Sequence, residues 1–119
     1  MTPLQSFREL DAWRRAMELA EACYKASALF PSDERFGLTQ QVRRCAVSIP
    51  SNIAEGHRLS RPSFRHHLTI ALGSLAELET QLELAMRLKM VTREALAPCE
   101  SLLVDNRRLL FGLRRSLGG

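Results

Sequence analysis

Apolar residues recur at intervals of three and four along four stretches of the chain, which is the spacing of a helix with one buried face. The pattern predicts four helices, at about residues 7–29, 33–56, 61–89 and 93–117. Because only short loops separate them, we expect one all-α domain over residues 1–119, folded as an antiparallel up-down-up-down four-helix bundle.

The clearest seam of apolar positions lies in the third helix. Its predicted core positions are Phe64, Leu68, Ala71, Leu75, Leu78, Leu82 and Ala85. The first helix is expected to bury Leu10, Trp13, Met17, Ala20, Tyr24 and Ala28, and the second Leu38, Val42, Cys45, Ile49 and Ile53. The fourth is expected to bury Leu96, Cys99, Leu103, Asn106, Leu110, Leu113 and Leu117. A buried amide at Asn106 would fix the register of the helices; the alternative is a surface asparagine bonded to water.

Residues that favour helix ends mark the boundaries. Ser6, three residues before Glu9, fits a capping box at the start of the first helix. Gly56 is expected to end the second helix in the left-handed conformation, which glycine adopts without strain. Pro98 predicts that the fourth helix bends or starts late, because proline has no N–H to donate. The other predicted boundary residues are Pro31, Ser32 or Asp33, Ser60, Thr92, Gly118 and Gly119.

The third and fourth helices carry more apolar residues than one buried stripe requires. The additional positions are Ile70, Leu72, Leu84, Met86, Leu102, Val104, Leu109 and Phe111. Such an excess indicates either a wide core or a second buried face between subunits. We therefore expect the chain to form a homo-oligomer.

The segment "SIPSNIAEG" places a proline inside the second helix. Pro50 cannot donate to the carbonyl of Ala46, so a kink is expected there. Ser48, Asn52 and Glu55 lie three and four residues apart and therefore form a polar stripe beside the core. We expect this stripe to satisfy the freed carbonyl at a contact between helices or between subunits. The alternative is a ligand or nucleic-acid site on the same stripe.

The composition is that of a soluble globular protein, with 45% apolar and 25% charged residues. No segment approaches the ~18 consecutive apolar residues of a membrane-spanning helix, and no charged and then apolar leader opens the chain. A cytoplasmic location without a membrane partner is therefore expected. The three cysteines are an odd number and lie far apart, which favours buried reduced thiols over disulfides.

The positive charge is expected to gather at one end of the bundle. The net charge is +4, and arginine supplies most of the basic residues because Lys25 and Lys89 are the only lysines. In an up-down-up-down order, the start of the first helix, the turn between the second and third, and the end of the fourth share one end. The arginines predicted to lie there are Arg8, Arg58, Arg61, Arg65, Arg114 and Arg115. Such an end would attract nucleic-acid phosphates; the alternative is a solvated loop that serves solubility.

The sequence contains no catalytic or metal-binding pattern. A di-metal bundle needs inward Glu-x-x-His repeats, and the adjacent His66 and His67 do not have the spacing of a zinc site. No Gly-rich phosphate loop is present, and no nucleophile has a recognisable base. We therefore expect a protein that is not an enzyme and that needs no metal or cofactor.

Two blocks of sequence resemble a known family. The blocks "FPSDERFGLTQQVRRCAVSIPSNIAEG" and "FRHHLTIALGSLAELETQLELA" are similar to four-helix-bundle proteins encoded in intervening sequences of bacterial large-subunit ribosomal RNA genes. The same family includes the accessory variability protein of diversity-generating retroelements. The resemblance runs from Phe7 to Leu113, and its ordered pieces include Trp13, Gly37 and Arg44.

The resemblance implies a ring-like homopentamer in which subunits pack side by side around a central channel. For the retroelement members it also implies binding to RNA and to a reverse transcriptase through a basic surface. From charge and resemblance together we expect a non-enzymatic, oligomeric factor that binds RNA or DNA, or serves as an accessory to a ribonucleoprotein. The alternative is a structural or protein-interaction homo-oligomer that binds no nucleic acid.

Overall fold

A computed structural model describes residues 6–118 of the chain. These residues form four α-helices: α1 (Asp11–Ser27), α2 (Leu38–His57), α3 (Arg61–Arg87) and α4 (Arg93–Ser116). Two 3₁₀ turns, Phe7–Glu9 and Ser32–Glu34, precede α1 and α2. The prediction of an all-α fold with four helices is confirmed. The two ends of the predicted domain, residues 1–5 and 119, lie outside the described residues.

The helices pack in a ring, because α1 contacts α2 and α4, and α3 contacts the same two helices. The described chain measures 48 Å along its long axis and 23 by 22 Å across. All four helices contribute apolar side chains to the core. This compact arrangement is consistent with a four-helix bundle.

The core positions of the last three helices agree closely with their sequence spacing. All seven predicted α3 positions are buried. In α2, Val42, Ile49 and Ile53 are buried, whereas Leu38 and Cys45 are half-buried. The buried α4 residues are Leu96, Cys99, Leu103, Asn106 and Leu110, and the half-buried ones towards its end are Leu113 and Leu117.

The predicted seam of the first helix is correct only in part, because Ala20 is buried and Leu10 and Trp13 pack against the core while the other three positions are exposed. Met17 and Tyr24 are 37% and 44% exposed, and Ala28 is also exposed. Apart from Ala20, the buried positions of α1 were not predicted; the full set is Ala12, Ala16, Leu19, Ala20, Cys23, Ala26 and Ser27. Most of these side chains are small, which allows the neighbouring helices to approach closely, and the larger side chains stand on the flank of the helix. In α1 the small size of the side chains therefore determines which face is buried. The large apolar side chains, on which the prediction was based, lie on the neighbouring face.

The first helix is shorter than predicted. Ser6 caps the 3₁₀ turn and not α1, since its hydroxyl accepts the Arg8 N–H at 3.2 Å. Leu10 is extended, with φ −78° and ψ 128°, and therefore separates the turn from the helix. At the other end α1 stops at Ser27, two residues before the predicted limit of residue 29.

The second helix starts at Leu38, five residues later than predicted. The intervening Ser32–Glu34 segment forms a 3₁₀ turn. The side chain that reaches the start of α2 belongs to Glu34, whose Oε1 accepts the Leu38 N–H at 3.0 Å. This bond satisfies one of the N–H groups that the first turn of a helix leaves without a backbone partner.

Ser60 and Thr92 cap α3 and α4 as predicted. The Ser60 hydroxyl accepts the N–H of Ser63 at 3.4 Å, and the Thr92 hydroxyl accepts that of Ala95 at 3.2 Å. The expected late start of α4 is wrong, because the helix begins at residue 93 and continues through Pro98.

The C-terminal ends of α3 and α4 lie close to their predicted limits. The last residue of α3 is Arg87, two before the predicted limit, and that of α4 is Ser116, one before it. Gly118 has the positive φ of 88° expected of a glycine that follows a helix. Its predicted companion Gly119 lies outside the described residues.

Gly56 does not end its helix, so the predicted left-handed cap is wrong. The helix continues to His57, and Gly56 is buried within it. A Cβ atom at Gly56 would lie 2.8 Å from Cβ of His67 and 2.8 Å from Cδ1 of Phe64. Glycine is required here because α3 comes too close for any side chain. The end of α2 therefore packs directly against the start of α3, with no side chain of residue 56 between them.

Candidate nucleic-acid interface

Two of the six candidate arginines meet over one aromatic ring. The Cζ atoms of Arg8 and Arg58 lie 4.6 Å and 5.7 Å from the centroid of the Phe7 ring. Phe7 packs in turn against Trp13, with 5.3 Å between ring centroids. The 3₁₀ turn that carries Arg8 is thus placed beside the end of α2, which carries Arg58.

The other four candidate arginines lie where the start of α3 meets the end of α4. An Arg61 N–H (Nη2) donates to the Ser116 carbonyl at 3.3 Å. An Arg114 N–H (Nη1) donates to the Thr69 hydroxyl at 3.1 Å, and its Cζ lies 5.1 Å from the centroid of the Phe111 ring. These contacts connect α3 to α4 and fix two of the guanidinium groups in place.

A groove of about 420 Å³ opens between these two helices. It is lined by Arg65, Thr69, Phe111, Arg114, Arg115 and Gly118, and no carboxylate belongs to its lining. The Nε of Arg65 is buried and has no hydrogen-bond partner among residues 6–118. Three guanidinium groups therefore line the groove, and one of them, that of Arg65, has a buried Nε without an acceptor in the described chain.

The six candidate arginines are not neutralised by ion pairs within the described part of the chain. Five other arginines do have carboxylate partners there, namely Arg14, Arg15, Arg87, Arg107 and Arg108. Two acidic residues near the basic end are directed elsewhere: Asp11 pairs with Arg14, and Glu55 Oε2 lies 3.7 Å from His67 Nδ1. None of the six candidate arginines therefore forms an ion pair with a described residue, although the carboxylates of Glu9, Asp11 and Glu55 belong to the same end.

The polar residues of the SIPSNIAEG segment form a hydrogen-bond network between α2 and α3. The hydroxyl oxygens of Ser48 and Ser74 lie 2.9 Å apart. Asn52 donates through Nδ2 to the Ser48 hydroxyl at 3.1 Å, and its Oδ1 lies 3.0 Å from His67 Nδ1. Glu55 extends the network towards His67. The predicted polar stripe therefore contacts a helix of the same chain.

Pro50 is buried beside this network, and α2 is continuous through it. The carbonyl that a proline at this position leaves without its helical donor is that of Ala46. The Asn52 side chain, however, donates to the carbonyl of Ser48, at 2.9 Å. The expectation that the stripe satisfies the freed carbonyl is thus not met by Asn52, whose amide supports Ser48 instead.

Sequence reasoning missed the α3 partners of the stripe, His67 and Ser74, and the groove residues Thr69 and Phe111. A signal existed for the first pair, because residues seven apart lie on one face of a helix. For Thr69 there was none, since a threonine on an exposed turn gives no indication that an arginine from another helix will reach it.

Two of the three thiols, Cys23 and Cys45, have raised pKa values, which separates them from reactive cysteines. Cys23 and Cys99 influence each other: the neighbouring Cys99 thiol raises the pKa of Cys23, and the Cys23 thiol lowers the pKa of Cys99. Burial raises the pKa of Cys45, and the neighbouring Glu77 carboxylate raises it further. The Cys45 thiol donates a hydrogen bond to Oε2 of Glu77 at 3.6 Å. Cys23 and Cys99 are buried, and Cys45 is half-buried, where full burial was expected.

Neither a metal centre nor a bilayer-spanning helix is found in the described chain. Within residues 6–118, no three or more His, Cys, Asp and Glu side chains are grouped so that they could hold a metal ion. The described helices likewise lack any stretch that combines the length and the hydropathy needed to cross a bilayer.

The chain matches a family model described as 23S rRNA-intervening sequence protein over residues 8–112. The limits differ by one residue at each end from those of the resemblance seen in the sequence, which is thereby confirmed. No curated protein matches the chain. The matched range includes Arg8, Arg58, Arg61 and Arg65 and ends before the last two candidate arginines.

Proposed function

The chain belongs to the 23S rRNA-intervening sequence protein family, and from this premise we propose that it is a non-enzymatic protein that binds nucleic-acid phosphates through its basic end. The observation that carries the proposal is the set of six arginines without ion-pair partners in the described chain. A guanidinium group that has no carboxylate partner keeps its charge and most of its donors for phosphate oxygens.

The groove between α3 and α4 supports this function. The Arg65 guanidinium lines this groove and has no ion-pair partner among residues 6–118, so a hydrogen-bond acceptor in the groove would be stabilised by its N–H groups. Arg114 and Arg115 line the same groove and would add attraction for an anion. A phosphate oxygen satisfies both requirements, because it is negatively charged and accepts hydrogen bonds.

Binding at this end would be led by phosphates and would have little sequence preference. The Phe7 ring is covered by two guanidinium groups, and Phe64 is buried in the core. These two rings are therefore not free to stack on bases, which is the usual contribution of aromatic residues to single-strand binding. Phe111 in the groove is 41% exposed, but the Arg114 guanidinium lies 5.1 Å from its ring centroid, so it offers at most one partly covered stacking surface. Contacts to phosphates position a protein on nucleic acid without reading its sequence.

The proposal includes an antiparallel up-down-up-down course of the helices and a ring-like homo-oligomer. Contacts between α2 and α3 support the first part: Cys45 meets Gln81, Ser48 meets Ser74, and Asn52 meets His67. Residue numbers thus rise along α2 as they fall along α3. A pentamer and a reverse transcriptase partner stay predictions from the family resemblance.

A structural or protein-interaction homo-oligomer without nucleic-acid binding is the second candidate function. It is favoured by the exposed apolar side chains Leu84, Val104 and Phe111, which are 46%, 57% and 41% exposed. Val104 and Phe111 lie seven residues apart and therefore on one face of α4, and a contiguous apolar face is typical of a protein–protein contact. Oligomerisation alone is compatible with nucleic-acid binding, so only the absence of nucleic-acid binding would favour this second candidate over the first.

Fluorescence anisotropy with mixed-sequence RNA and DNA, measured over a series of salt concentrations, tests the proposal. The logarithm of the affinity should fall linearly with the logarithm of the salt concentration, with a slope of about −0.7 per phosphate contact on a single strand. The variant Arg58→Glu, Arg61→Glu, Arg115→Glu should lose binding, because it reverses three exposed guanidinium groups at the basic end.

The matched control changes the same number of charges at the other end of the bundle. Lys25→Glu, Lys89→Glu, Arg93→Glu alters residues at the end of α1 and around the turn from α3 to α4. This variant should retain most of the affinity and the salt slope. Wild-type protein that binds neither RNA nor DNA at low salt, or equal losses in the two variants, would refute the proposed function.

A further inference from the structure

Two opposite sides of the four-helix chain carry exposed apolar side chains. Because α1 and α3 each contact α2 and α4, the surface between α1 and α2 lies opposite the surface between α3 and α4. Each of these surfaces holds a cavity whose lining combines apolar groups with charged groups mainly of one sign. The signs on the two sides are opposite.

The surface between α1 and α2 is called the arginine face here, and it is formed by Tyr24, Arg35, Phe36, Arg43, Arg44 and Val47. These residues line a cavity of about 590 Å³ that has no carboxylate in its lining. Phe36 projects strongly, with 83% of its surface exposed. Arg43 is held over the Tyr24 ring at 4.6 Å, whereas Arg35 and Arg44 make no ion pair with any described residue.

The surface between α3 and α4 is called the glutamate face, and it is formed by Glu79, Glu83, Met86, Glu100, Val104 and Arg107. They line a cavity of about 220 Å³ and contribute three carboxylates against one guanidinium. Glu79 pairs with Arg107, and Glu83 pairs with Arg87. Glu100 has no ion-pair partner within residues 6–118, and Val104 is 57% exposed.

The two faces lie at the same height along the bundle. Cys45, next to Arg44, accepts a hydrogen bond from Gln81 of α3 at 3.4 Å, and Glu79 of α3 pairs with Arg107 of α4. From this level, each face extends towards the end of the bundle where α2 and α4 begin, because residue numbers fall along both helices in that direction.

We propose that the arginine face of one copy of the chain binds the glutamate face of the next copy, an inference that rests on the proposed homo-oligomer. Phe36 enters the cavity of the glutamate face together with Arg35, whose Cζ lies 5.7 Å from the Phe36 ring centroid. The guanidinium groups of Arg35 and Arg44, which have no ion-pair partner in the described chain, meet the carboxylates of Glu83 and Glu100. An aromatic side chain seated in a pocket with charged pairs around it is the typical centre of a stable interface.

A second copy accounts for more of the structure than another occupant would. Nucleic acid bound to the arginine face would leave the exposed apolar residues of the glutamate face uncovered. One contact between copies covers the apolar residues of both faces and brings opposite charges together. Because the two faces differ and lie on opposite sides of the bundle, the contact repeats from copy to copy and closes a ring if the rotation permits.

Light scattering after gel filtration, at micromolar concentration, tests the pairing of these faces. The variants are Arg35→Glu with Arg44→Glu, Glu83→Arg with Glu100→Arg, and the chain that combines all four changes. Each double variant should have the mass of one chain, because like charges then face each other, while the helical circular dichroism stays unchanged. The combined variant should recover the wild-type mass, since the opposite charges are exchanged between the faces.

Phe36→Ser provides a test that does not depend on charge, and it should also release single chains. A monomeric wild type, an unchanged mass in either double variant, or no recovery in the combined variant would each overturn the inference. So would loss of RNA binding by Arg35→Glu with Arg44→Glu at unchanged mass, which would assign the arginine face to nucleic acid. Wild-type rings that bind no RNA or DNA would support the pairing and refute only the proposed nucleic-acid function.

Discussion

The Ser48 and Ser74 hydroxyl oxygens lie 2.9 Å apart and join α2 to α3 midway along their contact. The Asn52 amide donates to the Ser48 hydroxyl at 3.1 Å and so holds this bond in place. Both serines are partly buried, and water therefore replaces the bond poorly when one hydroxyl is removed.

Ser48→Ala and Ser74→Ala should each lower the free energy of unfolding by about 1 kcal/mol, the usual net value of such a hydrogen bond. The double variant should lose less than the sum of the two, because both changes remove the same bond. Urea unfolding of the four proteins gives the coupling. Ser51→Ala, an exposed serine of the same helix, is the control and should be nearly neutral; additive losses at the other two positions would contradict a direct bond.

Gly56→Ala should destabilise the protein, although alanine normally stabilises a helix by about 1 kcal/mol relative to glycine. The new Cβ would lie 2.8 Å from Cβ of His67, and these backbones cannot separate without opening the contact between α2 and α3. Overpacking of this kind typically costs about 1–3 kcal/mol. Thermal unfolding is the measurement, and a raised melting temperature would rule out the close approach.

The matched controls for that change are Gly73→Ala and Gly112→Ala. Both glycines lie inside helices, and a Cβ atom at either position meets nothing within 4 Å. Each substitution should therefore raise stability by about 0.5–1 kcal/mol through helix propensity alone. The three alanine variants together separate the packing effect from the propensity effect.

The fold could be predicted from sequence where size and hydrophobicity agree. In α3 the buried positions are mostly leucines, so their spacing identified the core face. In α1 the buried face is mostly alanine, while Met17 and Tyr24 lie on the flank, so the largest apolar side chains indicated the neighbouring face. Gly56 shows a related limit, because a glycine needed for close packing has the same sequence appearance as one needed for a turn.

The candidate interface was predictable only as a set of charges. The order of the helices brings the six arginines to related positions, and this follows from four helical stretches joined by short turns. Their division into a pair over Phe7 and a group around the α3–α4 groove depends on side-chain contacts between helices. Spacing along the chain does indicate four of the five paired arginines, because their carboxylates lie three or four residues away on the same helix. It does not indicate the pair of Arg107 with Glu79, which joins two helices.

The three thiols should react slowly with Ellman's reagent in the native protein at mildly alkaline pH. The reactive form is the thiolate, and burial together with neighbouring groups raises the pKa values of Cys23 and Cys45, so both stay protonated. The pKa of Cys99 is lowered, but its side chain is 1% exposed and inaccessible to the reagent. The rate of colour development, with and without denaturant, measures this.

Cys45→Ser is the control for the only half-buried thiol among the three. Removing it should abolish most of the slow native reaction, and all remaining thiols should react rapidly once the chain is unfolded. Fast native labelling of the Cys45→Ser variant would show that Cys23 or Cys99 is accessible, in conflict with their burial between α1 and α4.

Asn106 places an amide in the core, where the amide nitrogen has hydrogen-bond partners and the amide oxygen has none among the described residues. Its Nδ2 donates to the Leu102 carbonyl at 2.8 Å and to the Arg15 carbonyl at 3.2 Å, but its Oδ1 is buried without a partner among the described residues. Asn106→Asp should lower the free energy of unfolding by about 3 kcal/mol at neutral pH, because a buried carboxylate would face two carbonyl oxygens and could donate to neither. The loss should shrink in acid, where the carboxyl group is protonated.

Asn106→Leu should differ little in stability from the wild type, within about 1 kcal/mol. The two carbonyls that lose the amide lie within α1 and α4 and retain their helical donors, while removal of the buried Oδ1 offsets the lost bonds. If the amide fixes the register of α1 against α4, this variant should instead lose cooperativity, seen as a smaller dependence of the unfolding free energy on urea concentration. If the Asn106→Leu variant unfolds with unchanged cooperativity, the amide has no role in fixing the register. If that variant is destabilised as strongly as Asn106→Asp, the two hydrogen bonds of the amide contribute more to stability than the buried Oδ1 costs.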